Sequence, residues 1–268
     1  MSRIGSRFSD LVRQRRKAFI PFVTAGDPNL DVSLDIILNL AEIGADVIEL
    51  GVPFTDPMAD GPTIQRSSQR ALGNGVRVLD VLTLVKRARN STDVPIVLFS
   101  YLNPILRYGV ENLARSAVDA GVDGVLFTDA VDDEAAEYAE IFDGVGIDLI
   151  SLIAPTTTDV RLARIAKNSR GFLYAVSRAG VTGAQIELSS DAERLVRRAK
   201  AVASLPIVVG FGISTRSQIE DVWRYADGAV VGSAIVSAIE KNPDNAVAAV
   251  ESFVRGLLPQ FAKSGTEL

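Results

Sequence analysis

Eight times in succession a short apolar run rich in β-branched residues is followed by a stretch with apolar residues at helical spacing, and this cycle limits what the chain can fold into. The strand-like runs fall at 18–24, 47–52, 95–101, 124–129, 148–154, 171–177, 206–212 and 228–232. Helical patterns fall at 30–43, 62–72 and 77–89, 110–120, 133–142, 159–167, 191–203 and 216–225, with a final helical region after Ser233. An amphipathic stretch at 6–17, with Phe8, Leu11 and Val12 on one side and arginines on the other, precedes the first strand. No Pro/Ser-rich linker or shift of composition interrupts the series, and 268 residues lie close to the ~250 of a closed barrel. The expected fold is therefore α/β: a single (β/α)8 TIM barrel spanning 1–268 with extra N-terminal and loop helices. A doubly wound open sheet is the alternative.

Composition then removes whole classes of chemistry. Apolar residues make up 47% and charged residues 23%, enough for a large core and too balanced for disorder. A net charge of −5 leaves no basic footprint for nucleic acid. Cysteine is absent, which excludes disulfides, thiolate nucleophiles and Cys-ligated metal, and histidine is absent, which removes the commonest general base. Catalysis must run on carboxylates, Tyr, Lys or Arg, or on an oxygen-bound divalent cation. Neither an 18-residue uncharged apolar run nor the apolar core of a secretory signal is found, so no membrane role and a soluble, cytoplasmic protein are expected.

Glu49 interrupts the second strand, V-I-E-L-G-V. Strict alternation puts Val47, Glu49 and Gly51 on one face and Ile48, Leu50 and Val52 on the other. The apolar face suits the surrounding helices, so Glu49 points into the barrel. A buried ion pair is the bland explanation, yet no expected strand holds a Lys or Arg. Burial should raise the carboxyl toward a useful acid/base range. The loop that follows, F-T-D-P-M-A-D-G-P, supplies Asp56 and Asp60 at the end of a parallel strand, where barrels place their active sites. Either acid alone reads as turn or cap chemistry. Sharing a barrel face with Glu49 narrows the lead of that reading for Asp60.

Glycine-bearing segments end the last strands: Gly180 and Gly183, Gly210 and Gly212, then Gly232 before Ser233. Barrels bind phosphate through the loops after strands seven and eight and a nearby helix N-terminus, so these positions point to a phosphorylated substrate. Phe22, Phe99, Tyr101, Phe127, Phe172, Tyr174 and Phe211 all fall in strands. Those that point inward at the mouth can line a flat aromatic pocket.

Together P-F-V-T-A-G-D-P (21–28), E-L-G-V-P-F-T-D-P-M-A-D-G-P (49–62), S-R-A-G-V-T-G (177–183), G-F-G-I-S (210–214) and G-S-A-I-V (232–236) closely resemble the tryptophan synthase alpha subunit family, over nearly the whole chain. The resemblance implies a (β/α)8 barrel that cleaves indole-3-glycerol phosphate to indole and glyceraldehyde 3-phosphate without a cofactor. It implies a pyridoxal-phosphate beta subunit as partner in an α2β2 complex. Matched motif by motif, it makes Glu49 the acid/base and gives Asp60 the indole N–H. It puts Tyr174 in the substrate pocket, Phe22, Ile64 and Phe211 around the indole, and Gly183, Gly212, Gly232 and Ser233 at the phosphate. Tyr101 joins the pocket as a strand-end aromatic. The loops 54–61 and 178–190 are expected to be mobile in the free chain, with Asp56 a candidate partner contact. The family's D-L-P or D-V-P after strand four here reads D-A-V, with Asp129 kept and Val131 in place of proline. That departure bears on partner communication rather than cleavage. A free-standing lyase of the same fold and a non-catalytic activator are the other readings, the last disfavoured by intact Glu49 and Asp60.

Overall fold

The structure, a computed structural model, describes residues 2–130, 132–176, 190–210 and 212–258, with only the backbone of 132–134. Eight parallel strands close in sequential order: β1 (Ala18–Thr24), β2 (Ile48–Gly51), β3 (Ile96–Ser100), β4 (Gly124–Phe127), β5 (Asp148–Ile153), β6 (Leu173–Val176), β7 (Ile207–Gly210) and β8 (Gly228–Val231). Closure is made by β1 against β8, with Ala18 opposite Gly228. The helices that precede and link them are α1 (Arg3–Arg13), α2 (Leu30–Glu42), α3 (Pro62–Gly73), α4 (Val78–Ala88), α5 (Leu102–Tyr108), α6 (Val110–Ala120) and α7 (Asp132–Asp143). After β5 come α8 (Asp159–Asn168), α9 (Ser190–Val202), α10 (Arg216–Trp223), α11 (Ser233–Lys241) and α12 (Ala246–Leu257). The closed barrel replaces the open-sheet alternative.

Strand alternation sorts the core into two apolar layers. Ile20, Phe22, Val47, Val97, Phe99, Leu126, Ile150, Tyr174, Val208 and Val230 fill the barrel interior. Ile48, Leu50, Val23, Leu98, Val125 and Val209 face the helices. This confirms the face assigned to Glu49, because Val47 lies in the inner layer and Ile48, Leu50 and Val52 lie in the outer one.

Helix α1 stops the lower end of the barrel with Ile4, Phe8 and Leu11, and Phe8 packs on Phe172 with ring centroids 5.7 Å apart. The helix begins earlier than the 6–17 pattern: Ser2 caps it by accepting from the Gly5 N–H, and donates in turn to Asp148. Val12, expected on the apolar side, is 76% exposed, and Ile4 takes its place. The arginines of this segment are not an unstructured basic face, since Arg3 pairs with Asp123, and Arg7 and Arg16 approach Asp46. Asp46, Asp123 and Asp227 share one device below the barrel. Each accepts a strand-leading N–H, from Phe19, Ile96 and Ile207 respectively, satisfying groups the ladder leaves unpaired.

Helix α5 was not expected. It is seven residues long with Pro104 in its first turn and Gly109 ending it, too short for a periodic pattern, and its first N–H is taken by Asp129 across the top of β4.

Candidate active site

Glu49 lies mid-way along β2, opposite Phe22 of β1 and Val97 of β3, and is fully buried. Neither carboxyl oxygen has a hydrogen-bond partner among the described residues, and no cation pairs with it there. Among the described residues the ion-pair explanation therefore fails. Removed from water with nothing to stabilise its charge, the carboxyl is pushed up to about 8. A protonated carboxyl at neutral pH, inside the upper half of a barrel, is a proton donor in waiting.

The aromatic side chains divide by height and face. Phe22 and Phe99 meet edge to face at 5.3 Å, and Phe99 meets Tyr174 at 6.5 Å, so three inward rings form a continuous wall beside Glu49. Two glycines make room for that wall. A Cβ on Gly51 would stand 2.6 Å from the Phe22 ring, and one on Gly210 would stand 1.9 Å from the Tyr174 hydroxyl. Ile64, in the first turn of α3, packs against the same inner layer. Phe127 points outward to Tyr138 and Phe142, and Phe172 lies low against α1, so these two leave the pocket. Phe211 lies outside the described residues.

Asp60 ends the loop after β2, half-buried, immediately before α3. Burial raises its carboxyl to about 6, against a hydrogen bond with the Tyr101 hydroxyl that lowers it. Tyr101 closes this loop from β3, accepting from the Ala59 N–H at 2.9 Å, while its ring tilts against Phe54 at 5.2 Å. Inside the loop Asp60 N–H donates to Pro57 and Met58 N–H to Asp56, and the Gln65 amide donates to the Asp60 carbonyl. Tyr101, expected only as pocket lining, therefore also ties down the loop of Asp60. Nothing in the sequence marked that bond, since it joins residues 42 positions apart. Asp56 is exposed on the outer side of the loop beside Met58, which is 85% exposed.

At the opposite side of the mouth, Gly212 has φ +83° and open space where a side chain would stand. Gly232 precedes α11 with no side chain capping the helix, and Ser233 is exposed at its first position. The first intrahelical bond there is from the Val236 N–H to the Gly232 carbonyl, leaving the preceding N–H groups aimed at the mouth. Such an end suits an anion. Gly183, residues 178–189 of the expected mobile loop and Val131 lie outside the described residues. Among the described residues no group of three His, Cys, Asp or Glu is placed to hold a metal ion.

A parallel barrel with a buried unpaired carboxyl, a second carboxyl in the loop above it, an aromatic wall and an uncapped helix end opposite defines an acid/base barrel enzyme for an aromatic substrate bearing an anion. The tryptophan synthase alpha chain family model matches residues 8–261. The chain is 51% identical over 241 residues to the tryptophan synthase alpha chain of Citrifermentans bemidjiense, covering 90% of each. It superposes on the tryptophan synthase alpha subunit of Legionella pneumophila with a TM-score of 0.88 at 34% identity, covering 96% of this chain and 97% of that one. A chain of the tryptophan synthase α2β2 complex of Pyrococcus furiosus, for which mutual activation is described, gives 0.85 at 42% identity over 90% and 97%. This chain belongs to the tryptophan synthase alpha-chain family.

Proposed function

We propose that Glu49 and Asp60 carry the cleavage of indole-3-glycerol phosphate to indole and glyceraldehyde 3-phosphate, the carbon–carbon lyase reaction of the alpha chain in tryptophan biosynthesis. The observation that carries this reading is the orphaned carboxyl of Glu49, protonated at neutral pH, beside a wall of three aromatic rings.

A retro-aldol step needs somewhere for the electron pair of the breaking bond to go, and the indole ring is that sink once its C3 is protonated. Glu49 gives its proton to C3, which places positive charge on the ring nitrogen. Asp60, ionised above about pH 6, accepts the ring N–H and stabilises that charge. The bond between C3 and the side-chain carbon then breaks, its electron pair restores the aromatic ring, and the hydroxyl on that carbon becomes the aldehyde. Glu49, now a carboxylate, takes the hydroxyl proton and is ready for the next turnover. The residues need no resident cofactor for this sequence. Phe22, Ile64, Tyr101, Tyr174 and Phe211 surround the indole. The phosphate sits on backbone N–H groups at Gly183, Gly212, Gly232 and Ser233, the last two at the uncapped start of α11.

The chain works with a beta subunit in an α2β2 assembly, and Asp56 contacts that partner from the exposed side of its loop. Among the described residues no helix is long and apolar enough to cross a membrane, and the proposed compartment is the cytoplasm. Indole release from indole-3-glycerol phosphate, measured with and without the beta subunit, tests the reading. Release that the partner accelerates is expected. Release at the same rate in a complex verified by light scattering would reject activation and favour a free-standing lyase, and no release in either condition would reject the activity.

A further inference from the structure

The loop that holds Asp60 and the helix that opens at Ser233 are joined, beyond the helix starts that face the substrate site, by a chain of ion pairs that the reaction does not use. Arg70 of α3 grips Asp27 with two bonds, Nε to Oδ1 at 2.7 Å and Nη2 to Oδ2 at 2.8 Å. Its remaining Nη1 donates to Glu240 Oε1 of α11 at 2.8 Å. One turn nearer the mouth, Arg66 of α3 binds both oxygens of the same carboxylate, at 2.6 and 2.7 Å. Asp27 is 1% exposed, and Ser67 of α3 bonds Thr24 of β1 at 2.6 Å, so α3 is fixed to the top of β1 as well.

Geometry gives this cluster a task. Helices α3 and α11 both start at the mouth and pack directly on each other. Arg70 lies eight residues from the start of α3, about 12 Å along its axis, and Glu240 lies seven from the start of α11, about 10 Å. A link at nearly equal distance from the starts of two neighbouring helices fixes their sliding against each other. It thereby fixes the distance between what sits at their two N-termini, Asp60 on one and the uncapped N–H groups on the other. Planar guanidinium forks suit this better than a point charge, because bidentate pairing sets direction as well as distance.

We propose that Glu240, gripped by Arg66 and Arg70, is a positioning residue that sets the span between the indole end and the phosphate end of the substrate site. The inference rests on the phosphate placement at α11 given under the proposed function. It touches no reacting atom.

The test compares ligands that fill one end with a ligand that must reach both. Glu240→Gln keeps the shape and removes the charge, while the buried Asp27–Arg70 pair remains to hold the fold. Binding of indole alone and of glycerol 3-phosphate alone to the full chain should stay within about twofold of wild type. A non-cleavable analogue with indole and phosphate on one three-carbon chain should bind about tenfold less tightly, and kcat should fall by about 10- to 100-fold, since reacting groups are sensitive to shifts of an ångström. Arg66→Gln, which leaves the Arg70–Glu240 bond, should give a smaller change in the same direction. Unchanged affinity for the spanning analogue and unchanged kcat would overturn the inference, as would equal weakening of all three ligands, the mark of general loosening. Wild-type binding of glycerol 3-phosphate that is indifferent to Gly232→Val would remove the phosphate placement and the inference with it. That failure is separable because it is seen without touching Glu240.

Discussion

The hydroxyl of Tyr174 occupies the place where a side chain on Gly210 would begin, 1.9 Å from the ideal Cβ. The two residues lie on neighbouring strands, Gly210 two positions beyond Val208, the register partner of Tyr174, so the bulk of one is possible only through the absence of a side chain on the other. Gly210→Ala should push the ring off its position, destabilise the fold by about 1–3 kcal/mol as overpacking does, and reduce cleavage. Combining it with Tyr174→Leu should recover most of the stability. A double-mutant cycle by urea unfolding checks this, and additive effects of the two substitutions would show that the contact is not the cause.

Two carboxyls pushed to different values define an acid and a base limb. With Asp60 raised to about 6 and Glu49 to about 8, kcat/KM of the free chain should rise as Asp60 ionises and fall as Glu49 loses its proton. The pair gives apparent values, and Asp60→Asn should flatten the acid limb while leaving the alkaline one. A profile that climbs through pH 8 would mean that Glu49 enters the reaction as a base.

Tyr101→Phe removes both the acceptor of the Ala59 N–H and the partner of Asp60. Because that hydrogen bond lowers the Asp60 carboxyl, its loss should shift the acid limb to higher pH, and the untied loop should cost roughly tenfold in kcat. If kcat and the acid limb both stay in place, the tie has no part in catalysis.

Burial of Glu49 also has a signature in stability. Its folded value, about 8, lies above its ordinary 4.5, so the folded state binds the proton more tightly than the unfolded one. Below about pH 4.5 both states are protonated and the group imposes no penalty. As pH rises toward 8 the unfolded chain gains an ionised carboxylate that the folded chain cannot hold, and stability is lost. Glu49→Gln should therefore be more stable than wild type at pH 8 by an amount on the order of a few kcal/mol, with the difference closing near pH 4. Chemical denaturation at the two pH values decides it. Equal midpoints at pH 8 would mean that the carboxyl is solvated or paired.

Much of this was legible in the residues because short-range rules governed it. Period-two alternation assigned Glu49 to the interior, since apolar neighbours on the other face left it nowhere else to point. Asp60, Gly212 and Gly232 are singled out by their places after strand ends, and the structure puts Gly232 directly before α11. What the sequence hid depends on contacts between distant positions. Tyr101 meets Ala59, Asp27 meets Arg70, and Arg70 meets Glu240 across 42, 43 and 170 positions, and no local pattern announces such pairs. Helix α5 shows no period because seven residues are too few, and composition alone does not separate Ser2 from Ser6 as the cap of α1. Only the hydroxyl's second bond, to Asp148 of β5, distinguishes Ser2.

The central claim is that the unpaired carboxyl of Glu49 moves the protons of the cleavage, and turnover of Glu49→Gln tests it most directly. Purified variant, shown folded by its unfolding transition, is mixed with indole-3-glycerol phosphate and indole release is followed. An amide keeps the shape and burial of the side chain but cannot donate and recover a proton, so release at least a thousandfold slower than wild type is expected, in line with loss of a general acid and base. Turnover near that of wild type would contradict the account and place the proton transfers elsewhere.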